Sequence, residues 1–204
     1  VPGDIDVSAQ TAVEWVVNHD IALPADVRIF AQNTLEFVMR GKYQRKLARM
    51  TGRMVEDGQR VLDLGAGIGF LSIHAAKLVP QIRVVAQEDN ASRMAIMRKV
   101  LDHNEINLTG RQVVFEDAAE TVRRINQLIA DEKPDVLRIS YAELGSNLLG
   151  QINLGSVRRI VLFGPAVTAF HQDARNSGGP SLTASEELSV PEFVIIEPKR
   201  EVQS

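Results

Sequence analysis

The run Val61-Leu62-Asp63-Leu64-Gly65-Ala66-Gly67-Ile68-Gly69-Phe70 constrains this chain more than any other stretch. A buried-strand pattern carrying a carboxylate gives way to three glycines at alternate positions. An apolar helical pattern from Phe70 to Val79 follows at once. Strand, tight turn and helix N-terminus in that order form the usual grip on a nucleotide-like ligand. The glycines allow a backbone geometry that a Cβ would oppose and let a ligand approach the main chain.

The spacing is G-x-G-x-G, not the G-x-G-x-x-G of dinucleotide enzymes. Asp63 bears on the same choice. A carboxylate at the mouth of the cradle repels the pyrophosphate of a dinucleotide. It attracts the ammonium and sulfonium of S-adenosylmethionine, whose own carboxylate can use the helix N-terminus. The expected cofactor is therefore S-adenosyl-L-methionine. A glycine-rich turn holding no ligand is the plainer alternative.

With 204 residues, 45% hydrophobic and 24% charged, the chain suits one domain and a short extension with a real core. A net charge of -3 gives no global reason to bind nucleic acid or an anionic membrane. No cysteine is present, which excludes disulfides, zinc-thiolate sites and thiol nucleophiles and is compatible with a reducing cytosol. A cytoplasmic location is expected. No apolar run reaches the roughly 20 residues that span a bilayer. Val1-Pro2-Gly3-Asp4 lacks an initiator Met and a signal-peptide pattern, as a processed or trimmed chain would.

The first sixty residues read as helical, and residues 1–57 are expected to form an N-terminal helical extension. Ala12, Val13, Val16 and Val17 make one apolar face with Trp15 beside it. After Pro24, the residues Val27, Phe30, Ala31, Thr34, Leu35 and Val38 repeat at helical spacing up to Gly41. A third helix carries Leu47, Met50 and Met54. Arg40, Lys42, Arg45, Lys46, Arg49 and Arg53 fall in one stretch without an acid, either a collar for an anion or a solvated helix face.

Strand and helix patterns alternate from Arg60 onward. Strands are predicted at 61–64, 83–87, 113–116, 135–140 and 159–163, with helices at 70–79 and 91–103 and one after strand three carrying Val122, Ile125 and Ile129. This predicts a doubly wound, Rossmann-like α/β sheet with helices on both faces, spanning residues 58–204. Residues 173–181 read as a loop. Phe193 to Glu197 is one more strand, placed as an antiparallel edge.

Ligands of such sheets sit beyond the carboxyl ends of the strands. Strand one therefore supplies Asp63, Gly65, Ala66, Gly67 and Gly69, with Phe70 as core or as an adenine wall. Strand two ends at Glu88 and Asp89, where an acid can accept both ribose hydroxyls. Strand three ends at Glu116-Asp117-Ala118. There Asp117 can accept a bond from the adenine amino group and Ala118 leaves room for the ring.

Residues 58–150 resemble class I S-adenosylmethionine-dependent methyltransferases, and more narrowly the FkbM type. The carriers are Asp63 to Phe70, Val84-Val85-Ala86-Gln87-Glu88, the helix ending at His103-Asn104, and Asp135-Val136-Leu137-Arg138-Ile139-Ser140-Tyr141-Ala142-Glu143 followed by Leu148-Leu149-Gly150. Where such proteins typically carry Lys-Ile-Asp at strand four, this chain has Arg138-Ile139-Ser140. The Gly-Ala-Glu that usually follows is disrupted by Leu144-Gly145-Ser146. The resemblance thus implies the donor more firmly than the acceptor site, and it implies a terminal antiparallel hairpin of which one strand is visible.

Methyl transfer from a sulfonium mainly requires that two reactants be positioned. A hydroxyl acceptor also needs a base, for which Tyr141, Glu143 and His171 are the candidates. No metal site is expected: Ser140 removes the obvious ligand, and His19, His74, His103 and His171 lack metal-ligand spacing. The leading expectation is O-methylation of a small-molecule or glycan hydroxyl. The alternatives are a donor-binding protein without turnover and an NAD-dependent oxidoreductase. A homodimer is compatible with the sequence, whereas neither nucleic acid nor membrane is expected as a partner.

Overall fold

The computed structural model describes residues 13–114, 118–141, 149–169 and 193–196. Its centre is a six-stranded sheet. Strand β3 (Arg60–Leu64) is followed by α3 (Phe70–Leu78), β4 (Arg83–Glu88), α4 (Ala91–His103) and β5 (Thr109–Gln112). Then come α5 (Ala118–Glu132), β6 (Val136–Ile139), β7 (Arg159–Phe163) and β8 (Phe193–Ile196). The order across the sheet is β5-β4-β3-β6-β7-β8. All pairings are parallel except that of β8, which runs antiparallel on β7 at the edge. The chain steps outward one way from β3 and the other way from β6, so the order reverses between these two strands.

Period-two alternation divides the sheet residues between two cores. Val61, Val84, Ala86, Val136 and Val161 face α3 and α4, whose Ile73, Ala75, Met94, Met97 and Val100 are all buried. Leu62, Leu64, Leu137, Ile139, Ile160 and Leu162 face the opposite layer, where α5 supplies Ile125, Leu128 and Ile129. The doubly wound α/β sheet with helices on both faces is as the sequence predicts.

Ahead of the sheet stand β1 (Trp15–Asn18), β2 (Ile21–Pro24), α1 (Gln32–Met39) and α2 (Arg45–Met54). The first of the three predicted helices is therefore a β-hairpin. Its two-residue turn, His19-Asp20, has φ of 49° and 63°, the mirror-image geometry that matches the twist of paired strands. The β-branched run Val13, Val16 and Val17 favours this ladder over a helix. The buried Asn18 anchors it: its side-chain amide donates to the Val38 carbonyl at 3.0 Å, and its Oδ1 accepts from the Tyr43 N–H at 2.9 Å. The Asn104 side chain exchanges two bonds with the Ala22 backbone, and Trp15 stacks on His103 at 3.8 Å.

A second correction concerns strand three. The ladder beside β4 uses Thr109–Gln112, not Val113 to Glu116, with Val85 opposite Thr109 and Glu88 opposite Gln112. An edge strand paired on one side needs no apolar run, so register against β4 outweighs the higher β-propensity of Val113 and Val114.

Candidate functional site

The reversal of strand order brings the carboxyl ends of β3 and β6 together, and the glycine turn crosses that point. Gly65, Gly67 and Gly69 all have positive φ. The N–H groups of Gly65 and Ala66 both donate to the Gln87 carbonyl at 3.0 and 2.9 Å, which ties the turn to the end of β4. A Cβ on Gly65 would overlap the Ser140 hydroxyl and crowd the Tyr141 ring. A Cβ on Gly67 would meet nothing within 4 Å, so the crest of the turn is open. It opens on a cavity of about 160 Å³ whose floor is Asp63 and the glycine turn. Tyr43, Gln44 and Leu47 form one wall, and Phe163 and Gly164, just past β7, form another. The N-terminus of α3 beside it has neither a side-chain cap nor an acid in its first turn, which leaves its backbone donors for an anionic group.

Glu88 closes the turn from the β4 side. Its Oε2 accepts from the Gly67 N–H at 2.7 Å and its Oε1 from the Asn90 N–H at 3.1 Å, with Arg93 at 3.6 Å. The residue is fully buried, and burial, reinforced by a hydrogen bond from the neighbouring Asp89, pushes its carboxyl up to about 7. Asn90 then caps α4 by accepting from the Arg93 N–H. Glu88 and Asp89 thus lie beside the turn, where the sequence predicts them.

Asp63 differs from the expectation of a bare charge at the mouth. It is 1% exposed, and its Oδ2 accepts from the Ser72 hydroxyl and faces Arg138 Nη2 at 3.4 Å. Asp63 and Arg138 are register partners on β3 and β6. The Asp63 carboxylate is therefore shared with an internal cation. Among the described residues Asp63 Oδ1 has no hydrogen-bond partner.

Phe70 is buried, meeting Tyr43 edge-on at 5.1 Å and lying parallel to the His74 ring, so it packs as core at the cavity wall. Ala118 is the exposed first residue of α5. The Tyr141 hydroxyl accepts from the Asp89 N–H at 3.2 Å. Burial, then the nearby Glu88 and Asp89 carboxylates, raise its pKa, an environment ill suited to a base. Asp117, Glu143 and His171 lie outside the described residues. Among the described residues no group of three or more metal-ligating side chains comes together, and no helix is long and apolar enough to cross a membrane. On α2, Arg45, Lys46, Arg49 and Arg53 are exposed opposite the buried Ala48, Thr51 and Met54.

Three contributions go beyond the predicted set. Gln87 supplies the carbonyl that fixes the turn, and its side chain donates to the Val113 carbonyl at 2.6 Å. The segment Tyr43-Gln44-Leu47 builds a wall from outside the sheet. Arg138 pairs with Asp63. Its signal was present, because a lone cation in the apolar strand Val136–Ile139 needs a buried anion.

Residues 47–131 match the family model of the methyltransferase small domain. Among solved structures, the chain superposes on the precorrin-6y C5,15-methyltransferase of Geobacter metallireducens with a TM-score of 0.52, at 20% identity over 77% of this chain and 89% of that one. The fold is that of the Rossmann-like methyltransferases. A ribosomal protein L11 methylase from Lactobacillus delbrueckii subsp. bulgaricus gives 0.54 at 17% identity, covering 78% and 80% of the two chains. The tRNA (uracil-54, C5)-methyltransferase of Pyrococcus abyssi, solved with S-adenosyl-L-homocysteine, gives 0.60 at 16% identity, with 92% of this chain covering 43% of that one. No curated protein matches the sequence significantly. The matched family model is the methyltransferase small domain, not the FkbM type.

Proposed function

We propose that this methyltransferase-fold chain binds S-adenosyl-L-methionine across the β3 turn and transfers its methyl group. The observation that carries the reading is the open crest at Gly67 between a buried acid at the end of β4 and an uncapped α3 N-terminus. Each part has a counterpart in the donor. Glu88 and Asp89 suit the ribose hydroxyls, the α3 N-terminus suits the carboxylate, and Asp63 suits the ammonium. Asp117 and Ala118 keep the adenine role that the sequence suggests.

The chain's part in the reaction is to hold the donor and exclude water, because the sulfonium is already activated. The acceptor in this reading is a small-molecule or glycan hydroxyl, although Arg138-Ile139-Ser140 departs from the FkbM pattern at β6, and a cytoplasmic setting fits the cysteine-free sequence. Glu143 and His171 remain the candidates for its base; Tyr141 is better read as a brace between β4 and β6. Calorimetry with S-adenosyl-L-homocysteine tests the donor site, and a screen of hydroxyl acceptors for product formation tests turnover. Heat with NAD and none with the homocysteine compound would reverse the reading.

A second reading is favoured by one observation. Ser140 donates to the Gly65 carbonyl at 2.5 Å, where a catalytic acid would otherwise stand. The chain is then a donor-binding protein without turnover, distinguished by tight homocysteine-compound binding and no product with any acceptor.

A further inference from the structure

We propose that Arg138 is a positioning residue for the amino-acid head of the donor, holding Asp63 so that one carboxylate oxygen is kept for the ligand. The inference rests on the S-adenosylmethionine reading above and goes beyond it in assigning Arg138 and Ser72. Two donors converge on the same oxygen, Asp63 Oδ2: the Ser72 hydroxyl from the first turn of α3, and Arg138 Nη2 from across the sheet. The other oxygen, Oδ1, is buried with no hydrogen-bond partner among the described residues, although Asp63 lines the cavity. A buried carboxylate oxygen left unsatisfied is costly, and a ligand ammonium is the group that would satisfy it.

The guanidinium is itself held from several sides. Its Nη1 donates to the Leu71 carbonyl at 3.3 Å, and its plane lies over the Phe163 ring at 5.5 Å. With Arg138 only 1% exposed, neither partner can turn away into solvent. An ion pair serving stability alone would be a weak device, since a buried pair seldom outperforms an apolar replacement. It would also be expected to use both carboxylate oxygens in the forked geometry that arginine allows. Here one oxygen carries both contacts, and Arg138 Nε has no hydrogen-bond partner among the described residues either. The cavity, about 160 Å³, suits the head of the donor and not the whole of it. The adenosyl part then extends towards Glu88.

Two ligands isolate the head group. S-adenosyl-L-homocysteine carries the amino acid, whereas 5′-methylthioadenosine keeps the nucleoside and thioether without it. Calorimetry on the full chain is expected to show both binding to the parent. In Arg138→Met and in Ser72→Ala, affinity for the homocysteine compound falls by about tenfold or more while that for methylthioadenosine stays within about twofold. Arg138→Lys, which keeps the charge, recovers part of the loss. Equal weakening of both ligands would assign the pair to packing and overturn the proposal, as would unchanged binding of both. Should Arg138→Met not fold, Ser72→Ala decides alone by the same ratio. If the parent binds neither ligand, the donor reading itself falls and takes this inference with it.

Discussion

Glu88 gives two pH dependences of opposite sign. Its folded-state pKa of about 7 lies above the ordinary carboxylate range because burial disfavours the charge. Its contribution to stability is therefore complete below that range and is lost as pH rises through about 7. On the proposed ribose role the hydroxyls would donate to the ionised form, so affinity for S-adenosyl-L-homocysteine should rise across the same window. Denaturant midpoints and calorimetry between pH 5 and 8 should show both trends, and Glu88→Gln should flatten both. The glycines of the turn should separate as well. Gly65→Ala meets Ser140 and Tyr141 besides the strain of positive φ, and is expected to cost about 2 kcal/mol or more. Gly67→Ala carries the strain alone and should cost less, in urea unfolding of the two variants side by side.

The hairpin β1–β2 is held to the rest by the buried Ile21 and Leu23 and by a few polar side chains, of which Asn18 is the most exacting. Asn18→Ala leaves the Tyr43 N–H unpaired and removes one of the two donors to the Val38 carbonyl, which keeps the Gly41 N–H, and is expected to cost about 1–3 kcal/mol. Trp15 is the single tryptophan of the chain, and its stacking on His103 makes its emission a local probe. In Asn18→Ala that emission should shift at lower urea than the far-ultraviolet signal of the sheet. The central elements were legible because their patterns are long and their punctuation strong. Gly65 to Gly69 mark the start of α3, and the run 159–163 is apolar enough to be a buried strand on its own. The hairpin was missed because four residues on each side of a turn show too little periodicity to distinguish alternation from a helical face. A His-Asp turn also lacks the glycine that usually announces such a loop. β5 was displaced because its position depends on pairing with β4, which propensity does not encode. In the site, the backbone grip and Glu88 could be read from spacing. Arg138 in an apolar strand announces a buried anion, but spacing does not name Asp63 as that anion, since β6 lies 75 residues away along the chain and meets β3 only in the sheet.

The described residues form one six-stranded sheet with a core on each face and a hairpin beside it, and a ligand on the turn would touch elements from both halves of the large sheet. Binding should therefore stabilise the entire structure. At a hundredfold excess over its Kd, S-adenosyl-L-homocysteine is expected to add about 2.7 kcal/mol, read as a rise in thermal midpoint that NAD does not reproduce. The cavity wall made by Tyr43 and Gln44 lies just ahead of the matched segment 47–131, on the approach to a helix packed against α3. The floor and that wall thus have separate origins in the chain. Exchanging the side chains of Tyr43 and Gln44 would reshape what can be admitted without disturbing the turn beneath, so the opening segment acts as an interchangeable jaw on a fixed anvil.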